Sequence, residues 1–215
     1  VTAGSDRAGW TVIIPVKPTA IGKSRLEGPA TGRISLARAI ALDTIAAAVA
    51  CREVATVVVV TDDVSLTVAV SGLTGVRVLP EKGIRGIDAA VAVGAALVGT
   101  HSPRVALLGD LPALDPLELE TALRTARTMR RGAVADAEGT GTTMVTAAAG
   151  LPWQTAFGPG SFARHRALGC EPIELPANST LRRDVDTMAQ FADAERLGLG
   201  PASLAQVELI PADLA

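Results

Sequence analysis

Three groups of polar residues in this 215-residue chain have the types and the placement to do chemistry. The first is the loop running from Lys17 through Gly22-Lys23-Ser24-Arg25, directly after a short β-branched run at 11–16. It gathers Lys17, Lys23 and Arg25, and three cations at a strand's end suit a polyphosphate whose charge grows as it reacts. The ending Gly22-Lys23-Ser24 has the look of a triphosphate P-loop, but that motif needs a Gly where this chain has Lys17. A solvated basic loop is the plainer alternative. The second group is Gly109-Asp110-Leu111-Pro112, at the end of an apolar run. A carboxylate placed where a buried strand meets solvent suits a Mg²⁺ ligand, and the competing role of helix cap already falls to Asp115. The third is Arg182-Arg183-Asp184-Val185-Asp186-Thr187, which carries an Asp-x-Asp pattern. Asp186 or Thr187 makes a good N-cap for a following helix, which leaves Asp184 as the expected ligand, because side chains alternate faces along extended chain.

Two Gly-rich, hydroxyl-bearing stretches, 139–143 and 157–165, lack the third Gly of a dinucleotide fingerprint. Either one offers backbone N–H groups and hydroxyls to an anion, the second at a helix N-terminus. Of the two histidines, His101 is expected to be inert in a loop and His165 to be structural, because phosphoryl transfer asks little proton chemistry of the protein.

Elements that would position these groups alternate along the first 130 residues. Strands are expected at 11–16, 54–61, 76–79 and 104–108, the second apolar throughout, as befits a central parallel strand. Helices are expected at 34–50, after Asp62-Asp63, at 87–98, and from Asp115-Pro116 to about 129. Four such units imply a mostly parallel sheet with helices on both faces, and ligands in such sheets bind at the strands' carboxyl ends. Beyond 131 the pattern becomes irregular. Strands are expected at 132–137, 143–147 and 171–175, helices at 161–168 and 187–197, and a loosely packed tail from 198. One domain over 1–215 is the reading, with loosely ordered tails at 1–9 and 201–215.

Composition narrows the partners. A chain that is 48% hydrophobic and 20% charged is globular, and its net charge of −2 gives no field for nucleic acid. Aromatic residues are only 2%, with no Tyr, so stacking platforms for single strands are missing too. No apolar run reaches the length of a membrane span, and no signal peptide is expected. Cys51 and Cys170 stand far apart without metal spacing, which suits a reducing, cytoplasmic setting. A homo-oligomer is compatible with all of this.

Taken in order, the segments IIPVKPTAIGKSRL, GDLPAL, ADAEGTGTT, AFGPGSFARH and RRDVDT resemble the guanylyltransferases of coenzyme F420 biosynthesis, which act on phosphoenolpyruvate or 2-phospho-L-lactate. The resemblance spans nearly the whole chain. It implies an α/β, mostly parallel mixed sheet sandwiched by helices, of the GT-A nucleotidyltransferase type, with GTP and Mg²⁺ used and pyrophosphate released. Carried over motif by motif, it puts metal ligands at Asp110 and Asp184, and contacts to the acid substrate at Thr142, Gly158 and Ser161. The family's Leu-Asn-x-Ala stretch reads Ile87-Asp88-Ala89-Ala90 here, so Asp88 replaces an Asn. A carboxylate can accept from both N1 and N2 of guanine, so Asp88 is read as a base or ribose contact, with a helix cap as its alternative.

The implied reaction moves GMP from GTP to the phosphate of a small phosphorylated carboxylic acid. Only three of the 20 basic residues are Lys (Lys17, Lys23 and Lys82), a GC-rich coding bias. Family members from high-GC bacteria are associated with phosphoenolpyruvate, which selects that acid here. The alternatives are 2-phospho-L-lactate, a pterin cofactor as acceptor, and a nucleotide-binding module without turnover.

Overall fold

A run of valines can be buried on both faces only in the middle of a sheet covered from both sides, and the chain is built around such runs. The computed structural model describes residues 9–17, 30–83 and 86–208. Its strands are β1 (Trp10–Pro15), β2 (Val54–Val60), β3 (Val76–Leu79), β4 (Arg104–Leu107), β5 (Arg131–Ala135), β6 (Thr142–Ala147) and β7 (Glu171–Pro172). They form one sheet in the order β3-β2-β1-β4-β6-β5-β7. Every strand but β6 runs the same way, and β6 lies antiparallel between β4 and β5.

Alternation along the strands assigns the faces. Val12 and Ile14, Val57 and Val59, and Val105 and Leu107 face a core completed by Ile45 and Ala48, Leu66, and Leu119 and Leu123. These come from α1 (Ala30–Ala50), α2 (Val64–Val70) and α4 (Pro116–Ala126). Ile13, Val58, Val60 and Ala106 point the other way, onto Ala90, Val91 and Ala95 of α3 (Ile87–Val98). The last strands repeat the pattern: Val134 and Met144 join the first core, while Ala133 and Val145 meet Phe162 of α5 (Ser161–Ala167). This two-sided, mostly parallel sheet is the architecture expected from the alternating units.

Helix starts follow capping chemistry. The carboxylate of Asp63 accepts from Leu66 N at 2.9 Å and that of Asp115 from Leu117 N at 2.8 Å, each satisfying an orphan N–H of the first turn. Thr187 caps α6 (Met188–Leu197) in a reciprocal box with Gln190. The first helix begins four residues earlier than its apolar spacing indicated.

The stretch from 201, read as a loose tail, instead opens with α7 (Pro201–Glu208). Its first N–H groups, those of Ala202 and Ser203, donate to the two oxygens of Asp43 on α1 at 2.9 and 2.7 Å. Asp43 is 5% exposed, so a buried carboxylate and a helix N-terminus satisfy each other. Polar composition hid this docking. The two other expected tail segments, 1–8 and 209–215, lie outside the described residues. Among the described residues no helix is long and apolar enough to cross a membrane. Cys51 and Cys170 are both free thiols in the interior.

Candidate active site

Strand ends converge on a cleft of about 660 Å³ at the carboxyl edge of β1 and β4. Because β6 runs backwards, its first residue, Thr142, lies on the same edge, beside the turn that leaves β5. Lys17, Asp110, Asp136, Thr142, Gly158, Ser161, Asp184 and Asp186 all line this cleft. Five positions singled out in the sequence, Lys17, Asp110, Thr142, Gly158 and Ser161, thus come together with Asp184 from the far end of the chain. Lys23 and Arg25 lie outside the described residues.

The Gly109-Asp110-Leu111-Pro112 turn is held from three directions. Asp110 O accepts from Val185 N at 3.0 Å, Leu111 N donates to Thr44 Oγ1 at 3.0 Å, and Pro112 O accepts from Gly200 N at 2.8 Å. A Cβ on Gly109 would stand 2.9 Å from Val16 Cγ2 and 3.2 Å from Pro15 O, so Gly is needed for β4 to leave the sheet this close to β1.

Asp184 is the focus of the acidic end. Burial pushes its carboxyl up to about 8, with Asp110 and Asp136 adding like charge. Its Oδ1 is buried with no hydrogen-bond partner among the described residues. Oxygens of Asp136, Glu138 and Asp184 also lie within 4.8 Å of one another. A desolvated carboxylate among other carboxylates, with an oxygen left unmatched, is a donor set that fits a hard divalent cation. Asp110 and Asp184 are the pair expected from the sequence, and Asp136 stands beside Asp184 with a second task. Its two oxygens accept from Thr140 N at 2.9 Å and Gly141 N at 2.7 Å, which builds the turn into β6. Sequence reasoning passed over Asp136, although its place ahead of the Gly139-Thr-Gly141 turn was a legible sign of an Asp-anchored turn.

Two hydroxyl residues, Thr142 and Ser161, line the same cleft. Ser161 Oγ lies 3.1 Å from Thr142 Oγ1, which lies 3.0 Å from Nδ1 of His165. Nε2 of that imidazole accepts from Ala156 N at 2.9 Å, and the ring meets Phe157 edge-on at 5.0 Å. Fully buried, His165 is held down at about 4 by desolvation against the pull of Asp88. The ring, read from the sequence as structural, is thus joined directly to the Thr142 hydroxyl and through it to Ser161. The adjoining segment 151–157 has no regular structure of its own and is fastened by side chains. Arg104 and Arg131 hold the carbonyls of Leu151 and Pro152, and Arg164 those of Ala156, Phe157 and Pro159.

Asp88 takes part in the same fastening. Gly86, not Asp88, is the cap of α3, and the Asp88 carboxylate reaches across to accept from Phe157 N at 2.9 Å. The helix-cap alternative is therefore corrected, and one oxygen of the residue read as a guanine contact is engaged with the acid-side loop. On the cation side, Lys17 is exposed at the end of β1 and pulls on Glu81, whose carboxyl burial and Asp62 push upward.

Known proteins are similar to this chain in sequence and in fold. The model of a family described as guanylyl transferase CofC like matches residues 10–169. A phosphoenolpyruvate guanylyltransferase of Thermomonospora curvata is 44% identical over 207 residues, covering 94% of this chain and 90% of the relative. One from Salinispora arenicola is 45% identical over 196 residues, covering 89% and 90%. Among solved structures, a 4-diphosphocytidyl-2C-methyl-D-erythritol synthase superposes with a TM-score of 0.61 at 15% identity, over 89% of this chain and 99% of that one. The fold is that of the GT-A-like nucleotidyltransferases.

Proposed function

Because the chain belongs to the CofC-like guanylyl transferase family, we propose that it transfers GMP from GTP to phosphoenolpyruvate, releasing pyrophosphate, as a step of coenzyme F420 biosynthesis. The observation that carries this reading is one cleft lined by carboxylates, Lys17, a hydrogen-bonded pair of hydroxyl residues and a Gly-rich loop. A phosphate oxygen of the acid attacks the α-phosphorus in line as pyrophosphate departs, so catalysis consists of alignment and charge compensation. Lys17, Lys23 and Arg25 offset the charge of the triphosphate. Thr142, Ser161 and the main chain at Gly158 hold the carboxylate and phosphate of the acid. Asp110 and Asp184 are the residues that would hold Mg²⁺, which when bound neutralises triphosphate oxygens and fixes their orientation. Asp136 shapes the turn that carries Thr142 into place. A reducing cytoplasm suits the two buried thiols.

Incubating the protein with GTP, Mg²⁺ and either acid, and following product mass and pyrophosphate, tests the reading. Enolpyruvyl-diphospho-guanosine from phosphoenolpyruvate is the expected product. Turnover of 2-phospho-L-lactate with phosphoenolpyruvate inert would reverse the choice of acid, and no pyrophosphate with any acceptor would end the enzymatic reading.

A further inference from the structure

Two hydroxyls, one imidazole and one main-chain N–H decide how many protons the acid side of the cleft can offer. Ala156 N–H donates to Nε2 of His165 at 2.9 Å, so that nitrogen presents its lone pair and the proton of the neutral ring sits on Nδ1. Nδ1 lies 3.0 Å from Thr142 Oγ1, and there the ring donates and the hydroxyl accepts. The contact between Thr142 Oγ1 and Ser161 Oγ at 3.1 Å then engages one of the two hydroxyl protons. Whichever hydroxyl donates in that contact, the other keeps its proton. That remaining proton meets no further acceptor among the described residues. Nor can it turn back to His165, whose facing nitrogen already donates. Both residues line the cleft.

The opposite tautomer would give the opposite result. Nδ1 would take the Thr142 proton, Ser161 would donate to Thr142, and lone pairs alone would face an incoming anion. We propose that His165 is a positioning residue for the acid substrate: by donating from Nδ1 to Thr142, it makes the Thr142–Ser161 pair a net proton donor toward a carboxylate or phosphate oxygen. The tautomer is imposed by the backbone at Ala156, so the side-chain fastening of 151–157 feeds directly into the donor count. This inference rests on the reading of the cleft as the site of an acid-charging guanylyltransferase.

Two substitutions separate the nitrogens. Asn at this position keeps a donor where Nδ1 stands and loses the acceptor for Ala156, whereas Gln keeps an acceptor near Nε2 and loses the donor. His165→Gln is expected to raise KM for phosphoenolpyruvate about 10- to 100-fold, the cost of one hydrogen bond to a charged group, with KM for GTP unchanged. His165→Asn is expected to recover most of that loss. Equal rises in the two variants, or an equal rise in KM for GTP, would overturn the inference. A second measurement needs no variant: nitrogen-15 shifts of the wild-type ring near neutral pH are expected to report a proton on Nδ1, and a proton on Nε2 would overturn it outright. Wild-type protein inert toward phosphoenolpyruvate would sink the functional reading instead, and the ring shifts would still decide the tautomer.

Discussion

Val185 N donates to the carbonyl oxygen of Asp110 at 3.0 Å, joining main chain to main chain across two segments far apart in sequence. The two carboxylate-bearing turns are therefore tied to each other through their main chains. A substitution that changes only the carboxylate should leave that tie intact, which makes the pair suitable for chemical dissection.

Asp184→Asn and Asp110→Asn are each expected to lower kcat about 100-fold or more, as a site that compensates developing charge loses an anionic cation ligand. For Asp184→Asn the melting temperature is expected to stay level or rise, because burial and the neighbouring Asp110 oppose its charged form. Wild-type turnover at saturating Mg²⁺ in either variant would remove that residue from the metal site.

Asp88→Ala is expected to raise KM for the acid about 5- to 30-fold, since Phe157 N loses its acceptor. The preference for GTP over ATP is expected to hold. Asp88→Asn keeps an acceptor oxygen and should fall between Ala and wild type. Loss of the GTP preference in the Ala variant would restore the guanine contact suggested by the sequence.

His165 gives the folded protein a defined response to acid. Its pKa drops from 6.5 unfolded to about 4 folded, so between those values the unfolded chain binds a proton that the native state refuses. Stability is fully present above about pH 6.5, falls as pH is lowered toward 4, and levels off below; the whole effect is about 3 kcal/mol. Asp88 and Arg164 face the ring with opposite influence, burial being the larger cause. Urea midpoints measured from neutral pH downward are expected to fall more steeply for wild type than for His165→Asn. Parallel curves would mean that the ring is not a buried neutral imidazole.

Gly200→Ala is expected to destabilise the fold by about 1–3 kcal/mol, because the new Cβ would stand 2.7 Å from Asp43 Cβ in a packed site. Activity should fall with stability, since Gly200 N also holds Pro112 O in the metal-side turn. Calorimetry and kcat at saturating substrate check both effects, and an unchanged melting temperature would show that α1 and α7 have room to part.

Much of this was legible in the residues. The segments 76–79 and 87–98 were placed with their observed ends, the cap at Asp115 followed from side-chain chemistry, and of the two caps offered at 186 and 187 the structure uses Thr187. Asp110 stood out because a carboxylate after an apolar strand has few structural reasons to be there. The rest depended on contacts between distant residues. Nothing local distinguishes Asp43 from a solvent-facing acid until Ala202 and Ser203 are seen to donate to it. The segment 151–157 carries no periodicity because its hydrogen bonds run to arginines on the strands and on α5. His165 was read as structural, and its contacts to Thr142 Oγ1 and Ala156 N join segments that no local pattern connects.

The anchoring of α7 on Asp43 also fixes a moment in the life of the chain. Residues 30–50 leave the ribosome early, yet the groups that satisfy the Asp43 carboxylate are synthesised 159 and 160 positions later. Until then the first helix cannot bury that acid without cost, and the turn bearing Asp110 lacks its ties from Val185 and Gly200. All seven strands are synthesised before these ties, so the sheet can pair before the acidic turn and α1 are fastened from residues 185–203.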